Sequence, residues 1–528
     1  MLYRIKIKRI AGFSGRDEFF RRYIDFGILA LIIFSPLPAA STFDWSIMAI
    51  SLLVVSMGVC YFLTKEKIYI NRGLQRSLRW PKLMFSGLFI FILIQATPIP
   101  RQLLSIFSPK TISLHQNFSY KVGELSFLSI SITPYFTVRE ALELFTYFLL
   151  GFLIVKTVIH RKQINRIVYL LIGMGLFEAL YGIFELYRKN PRILFFEKTT
   201  NLNNVTGTFI NQNHLAGYLE MIIPIAIGLI IANIDVVTFL GKPVRGRLLH
   251  LIDKGMGMNL ILVAAVFVMA IAILLSRSRS AFLLLLLTFF LFIALSSYFF
   301  GKMKKAKPLI RLLLNLLFIG ILFIFLYMGI GANLDRFSGN LLEDGRTQYW
   351  NNVVKMIKDF PLVGIGLGSF AYTYPAYEGG HIHAFLVHAH NDYLEYFVEL
   401  GLVGVLLLGS GIFFVVRRSF KVWKRRRNPA VKGLGLGCLV SLMVIGVHSA
   451  TDFNLHIPAN MLLFTVVLSL SLVTSHYRLK SSRSRSKNKL PGKGDKKDSK
   501  RGSREFQFSP KKNDRYQDEY EVRKKLSR

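Results

Sequence analysis

The stretch NLILVAAVFVMAIAILLSRSRSAFLLLLLTFFLFIALSSYFF, residues 259–300, decides the fold. Two apolar runs, 259–276 and 280–300, are joined only by the turn Ser276-Arg277-Ser278-Arg279-Ser280. A helix needs about 20 apolar residues to cross a hydrocarbon core about 30 Å thick. Both runs are close to that length, so the stretch reads as two membrane helices reversing through a very short turn.

The same reading extends along the chain. Apolar segments lie near 23–39, 44–63, 83–98, 139–159, 167–187, 214–232, 259–276, 280–300, 311–330, 397–416, 433–450 and 458–476. The chain is 52% hydrophobic with a mean hydropathy of +0.42, so the expectation is an all-α polytopic membrane protein with about twelve transmembrane helices. With the N-terminus inside, the even-numbered links should be basic. They are: Lys65 to Lys82, Arg161 to Arg166, Lys242 to Lys254, Lys302 to Arg311, Arg417 to Lys432, and the tail from Arg478. Both termini are therefore expected in the cytoplasm, and the first apolar segment is expected to be retained rather than cleaved. The net charge of +37 belongs to these links and the tail, which argues against a nucleic-acid partner and for membrane lipids. The expected organisation is a membrane domain over 1–477 and a basic, disordered cytoplasmic tail over 478–528. Cys60 and Cys438 lie in separate apolar segments and suggest neither a disulfide nor a metal site.

The polar stretch Asn333 to Gly404 stands out between the apolar segments. Within it, 331–396 forms a large extracytoplasmic loop between the ninth and tenth helices, expected to carry short helices. Loops longer than about 12–15 residues are usually functional or disordered, and Trp350, Phe370, Tyr372, Tyr374, Tyr377 and Phe385 argue for order. A short helix is expected from Arg346 to Phe360, with Trp350, Val354 and Ile357 on one face and Pro361 ending it. That face would lie on the membrane or cover the site.

Arg277 and Arg279 break the charge pattern at an outer turn. They either snorkel to headgroup phosphates or, with Arg346, bind phosphate oxygens through planar donor forks. His381, His383, His388 and His390 crowd the loop; without a His-Glu-x-x-His spacing or a nearby cysteine, metal binding is the weaker reading. An imidazole can instead accept a proton from a hydroxyl, and His390, beside Asn391 at a helix mouth, is best placed. Asn211 and Asn213 are candidate helix caps or substrate contacts. Asp452, four residues after His448, is expected to pair with it in a structural role. Glu178, Glu185 and Glu220 are buried acids best read as satisfied by hydrogen bonds.

Several of these pieces fall into one order. His390-Asn391 is followed by nine residues and Gly401-Leu402-Val403-Gly404, with Phe209-x-Asn211-x-Asn213, Ser278-Arg279-Ser280-Ala281, Gly345-Arg346-x-x-x-Trp350, Pro361-x-x-Gly364-x-Gly366 and Asp452-Phe453-Asn454 around it. On these residues the chain resembles the O-antigen ligase and polymerase superfamily of bacterial membrane glycosyltransferases, over roughly 139–476. The resemblance implies glycan transfer from an undecaprenyl-diphosphate carrier to an acceptor hydroxyl at the periplasmic face of the inner membrane, without a metal or nucleotide cofactor. Arg346 and either Arg277 or Arg279 would hold the diphosphate, and His390 would take the hydroxyl proton as the anomeric centre inverts. Asn391, Asn211, Asn213 and Tyr393 are candidate substrate contacts. Acceptors in such a superfamily are lipid A–core, a growing glycan or protein hydroxyls, and the His-Asn-x9-Gly-x-x-Gly pattern favours ligation to lipid A–core. A transporter or flippase should place its polar residues near mid-membrane in matched broken helices, which this sequence lacks.

Overall fold

The computed structural model describes residues 15–65, 72–118, 125–233, 254–299, 315, 318–320, 346–378 and 386–477. Helices dominate: α1 (Gly15–Phe34), α2 (Asp44–Leu63), α3 (Arg72–Ser77), α4 (Arg79–Ala96), α5 (Arg101–Phe107), α6 (Pro109–Phe118), α7 (Pro134–Thr157) and α8 (Arg161–Leu186). They continue with α9 (Gln212–Asn233), α10 (Lys254–Leu275), α11 (Arg279–Phe299), α12 (Arg346–Asp359), α13 (Phe370–Thr373), α14 (Asp392–Lys424), α15 (Pro429–His448) and α16 (Pro458–His476). Strand pairing among the described residues is confined to two-residue pairs, such as Ile99–Pro100 with Phe127–Leu128.

The chain is an all-α polytopic membrane protein. Among the described residues, α2, α8, α9, α10, α14, α15 and α16 are long and apolar enough to cross a membrane. Every segment expected from the sequence coincides with a helix except the ninth, 311–330, most of which lies outside the described residues. The tail, 478–528, lies outside them too. The first helix stops at Phe34, short of the expected boundary, because Pro36 and Pro38 cannot continue it. Helix α9 forms the centre: nearly every residue from His214 to Ile231 is buried. Its Gly228 faces Gly433 and Gly437 of α15 so closely that an added Cβ would meet backbone, the small-residue packing that lets membrane helices approach.

Helix α14 begins at Asp392, before the expected boundary, and breaks at Gly401 (φ 60°, ψ −174°). In an unbroken helix the amides of Leu402 and Val403 would bond to the carbonyls of Val398 and Glu399. Here the loop after α12 takes both sides of those bonds. Ile365 and Gly366 donate to the carbonyls of Val398 and Glu399 at 3.0 Å each, while the amides of Leu402 and Val403 donate to Pro361 and Leu362 at 2.9 and 3.1 Å. The buried Gln95 amide closes the junction, donating to Val363 O at 2.7 Å and Glu399 O at 2.9 Å. Gly364 and Gly401 both have positive φ, and a Cβ on either would run into the backbone of the other segment. Their glycines are required by both conformation and contact.

Helix α12 ends before Pro361 as expected; its buried side is Val353 and Met356, continued by Phe360 just past its end, with Ile357 half-buried on the same face and Val354 exposed. The helix turns that face to Ile365, Phe370, Tyr374 and Val398, so it packs on the outer part of α14. We expect Gly401→Ala to cost about 2 kcal/mol or more, from the left-handed penalty plus displaced backbone. Gly409→Ala, where a Cβ meets nothing within 4 Å, should be near neutral. Thermal unfolding of the purified variants in detergent checks the contrast.

Candidate active site

The loop after residue 386 reaches α14 through His390, whose φ of +49° is left-handed, an unusual state for a residue with a Cβ. Asn391 then caps α14: its Oδ1 accepts from the amides of Tyr393 and Leu394 at 3.0 and 3.1 Å, and its Nδ2 donates to Ala450 O at 2.9 Å. Tyr393 donates its hydroxyl to Gly446 O at 2.6 Å. Together these bonds dock the start of α14 on the turn that follows α15. Trp350 of α12 donates its indole N–H to Ala389 O at 3.0 Å, bracing His390 from the other side.

That docking sets His390 Nδ1 3.2 Å from Asp452 Oδ1. The Asp452 side chain is 2% exposed, that of His390 28%. Asp452 also accepts from Asn213 Nδ2 at 2.7 Å and from the Phe453 amide at 2.9 Å. Burial alone would raise the Asp452 pKa, but the nearby His214 ring, 3.9 Å away, and the hydrogen bond and field of His390 hold it well below the usual carboxylate range. An ionised carboxylate only accepts, so it places the proton of His390 on Nδ1 and leaves Nε2 with its lone pair. The expected His448–Asp452 pairing is not formed by these side chains. His448 Nδ1 lies 2.8 Å from Glu220 Oε2 instead, since both point into the packed α9–α15 face.

Asn211 and Asn213 play different parts. Asn211 Oδ1 accepts from the Asn213 amide at 2.9 Å at the start of α9, and Asn213 reaches across to Asp452. The arginine turn lies at the same end of the bundle, because Leu275 O at the end of α10 accepts from the Val205 amide in the segment leading to Asn211. Arg277 is exposed with φ +56°, and Arg279 opens α11, half-buried. Arg346 opens α12, one turn before Trp350, and its side chain lies outside the described residues, as do His381 and His383. Glu178 is satisfied by Thr208, whose amide lies 2.8 Å from Oε2 and hydroxyl 2.9 Å from Oε1.

A second group of charges adjoins this pair. His388 Nδ1 is 2.7 Å from Glu395 Oε1, and His456 Nδ1 is 2.7 Å from Asp392 Oδ1. Burial would lower the His456 pKa, but the Glu395 and Asp392 carboxylates push it up to about 10. His388, Glu395 and His456 are the group among the described residues whose spacing suits a metal ion.

Residues 264–409 match the family model described as O-antigen ligase, which spans the arginine turn, α12 and the His390–Gly404 pattern. A Rickettsia conorii protein, provisionally named a polysaccharide ligase, is 27% identical over 106 residues, 19% of this chain. The chain spans a quarter of the length of that curated relative. Over residues 264–409 the chain is therefore similar to the O-antigen ligase family. Asp452, which lies beyond the matched residues, is the functional candidate that sequence reasoning assigned to a merely structural role. Its signal lay in the Asp452-Phe453-Asn454 motif, but nothing in the spacing named His390, 62 positions earlier, as its partner. His456 had no sequence signal at all.

We expect Asp452→Asn to keep the fold near neutral pH yet lower any His390-dependent activity by about 10²–10⁴-fold, since the amide no longer fixes the imidazole tautomer. The depressed Asp452 pKa adds a stability contribution that is full above the unfolded carboxylate value near ~3.9 and lost as pH falls through the folded one. Unfolding midpoints of wild type and Asp452→Asn should therefore converge in strong acid.

Proposed function

We propose that the protein transfers a glycan from a lipid diphosphate carrier to an acceptor hydroxyl. The observation that carries this reading is His390 Nε2, left available at the bundle end that also holds the arginine turn, with Asp452 behind the ring. The acceptor oxygen attacks the anomeric carbon and its proton passes to Nε2. The bond from that carbon to the phosphate oxygen breaks, and the lipid diphosphate leaves with the electron pair. Attack opposite the leaving group inverts the centre. Asp452 stabilises the imidazolium formed in this step, the part that a buried carboxylate plays behind a general-base histidine.

Arg346 with Arg279 or Arg277 neutralises the departing diphosphate; fixed guanidinium charge does this without a metal, so the transfer step itself is metal-independent. The proposed donor is undecaprenyl-diphosphate-linked glycan and the proposed acceptor lipid A–core, in lipopolysaccharide biosynthesis. The protein would then sit in the inner membrane with both termini in the cytoplasm and this site toward the periplasm, as the charge pattern of the links suggests. Asn211 and Asn391 are proposed to shape the site through the caps they form, and Tyr393, 56% exposed, to offer an edge to the glycan.

His390→Ala and Arg346→Ala are expected to abolish long-chain surface polysaccharide at unchanged protein level; normal display by both variants would sink the proposal. In a deletion strain, carrier-linked polymer accumulating beside unmodified lipid A–core supports ligation. Lipopolysaccharide carrying a single repeat points to polymerisation instead, and an unchanged banding pattern to another acceptor such as protein.

A further inference from the structure

We infer that His388, Glu395 and His456 form a binding site for one divalent transition-metal ion of the zinc type. One ligand atom from each lies within 4.8 Å of the others. His388 Nδ1 is 2.7 Å, and His456 Nε2 3.6 Å, from the same oxygen, Glu395 Oε1. A tetrahedral zinc with bonds of about 2.0–2.2 Å holds its ligand atoms roughly 3.3 Å apart. Admitting the ion therefore requires the 2.7 Å pair to open by about 0.6 Å and the 3.6 Å pair to close by about 0.3 Å, while the two imidazole nitrogens, within 4.8 Å of each other, close by about 1.5 Å or less. His456 Nε2 is buried and has no hydrogen-bond partner, a state that a native interior rarely leaves unanswered.

The surroundings orient each donor as the shell outside a metal centre does. His456 is held through Nδ1 by Asp392 at 2.7 Å, which aims Nε2 at the site. Glu395 Oε2 is fixed by the Ala389 amide at 2.8 Å, leaving Oε1 for the ion. The His388 ring stacks on Phe453 at 4.3 Å, and Tyr396 stacks on His456 at 4.5 Å. All three ligands line a cavity of about 370 Å³ that also carries Glu140, Glu143 and Glu399, so a fourth ligand such as water has room. Two imidazoles and a carboxylate suit zinc better than magnesium or calcium, which prefer all-oxygen sites.

The site has a positioning role. His388 precedes His390 by two residues and His456 follows Asp452 by four, so the ion clamps together the two segments that bring that pair into contact. It touches none of the reacting atoms. The inference does not rest on the transfer reading, because metal content is measured on the purified protein without substrate.

The test uses the full chain in detergent, stripped with a chelator and titrated with Zn²⁺ against a chromophoric competitor, then with Co²⁺. One equivalent is expected, with cobalt absorption bands of a four-coordinate ion. His388→Ala and Glu395→Gln should each lose at least 100-fold in affinity, and His390→Ala should keep it. His388 is 26% exposed, and Zn²⁺ should raise the unfolding midpoint of wild type but not of His388→Ala. Absence of a tight equivalent, or equal binding by His388→Ala, overturns the inference whatever the result for glycan transfer.

Discussion

The structure depends on a helix that gives up its own hydrogen bonds at one turn. At Gly401 the chain departs from helical geometry, and four backbone groups that α14 would have paired internally are paired with residues 361–366. Unpaired backbone groups in an apolar setting are costly, so kink and loop must form together. Gln95 from α4 and the Ser131–Thr137 region lock the loop from behind: Ile132 donates to Ile365 O at 2.9 Å and the Thr137 hydroxyl to Leu367 O at 2.7 Å. The first turns of α14 thereby become a unit with its own direction, distinct from the spanning part below the kink. Asn391, Asp392, Glu395 and Glu399 all lie on that unit.

From this arrangement the placement of His390 follows. The unit docks on the turn after α15 through the Asn391 side chain and the Asp392 amide, which donates to Ser449 O at 2.9 Å. Docking brings Asp452 to His390 and His456 to Asp392, so each imidazole gains a carboxylate from a different part of the chain. A carboxylate as buried as Asp452 is tolerated because its oxygens meet several donors at once, Asn213 and the Phe453 amide among them. The left-handed backbone at His390 is paid for by these contacts and by the Trp350 bond to Ala389.

Much of this was legible in the chain because some signals are local. The apolar runs and the end of α12 at Pro361 each report on their own immediate surroundings. The helix cap at Asn211 was visible for the same reason. The face of α12 was harder: of the stripe Trp350, Val354 and Ile357, Ile357 packs beside Val353, Met356 and Phe360, while Val354 is exposed. His448 and Asp452 show the opposite error, a pairing suggested by helical spacing and overruled because α9 offered Glu220 and the start of α14 offered His390.

By itself the sequence determined what depends on transfer of side chains from water and on single-residue geometry: an all-α membrane chain, its helical segments, and the outer stretch where polar chemistry concentrates. The tertiary structure alone decided which polar groups meet. Partners such as His390 and Asp452, or Glu395 and His456, lie about 60 residues apart and share no periodicity. Only the packing of α9, α14 and the turn after α15, and the exchange of backbone bonds at Gly401, brings them within hydrogen-bonding or metal-binding range. Hydrophobic burial is written in local patterns; the pairing of buried charges is a consequence of the assembled fold.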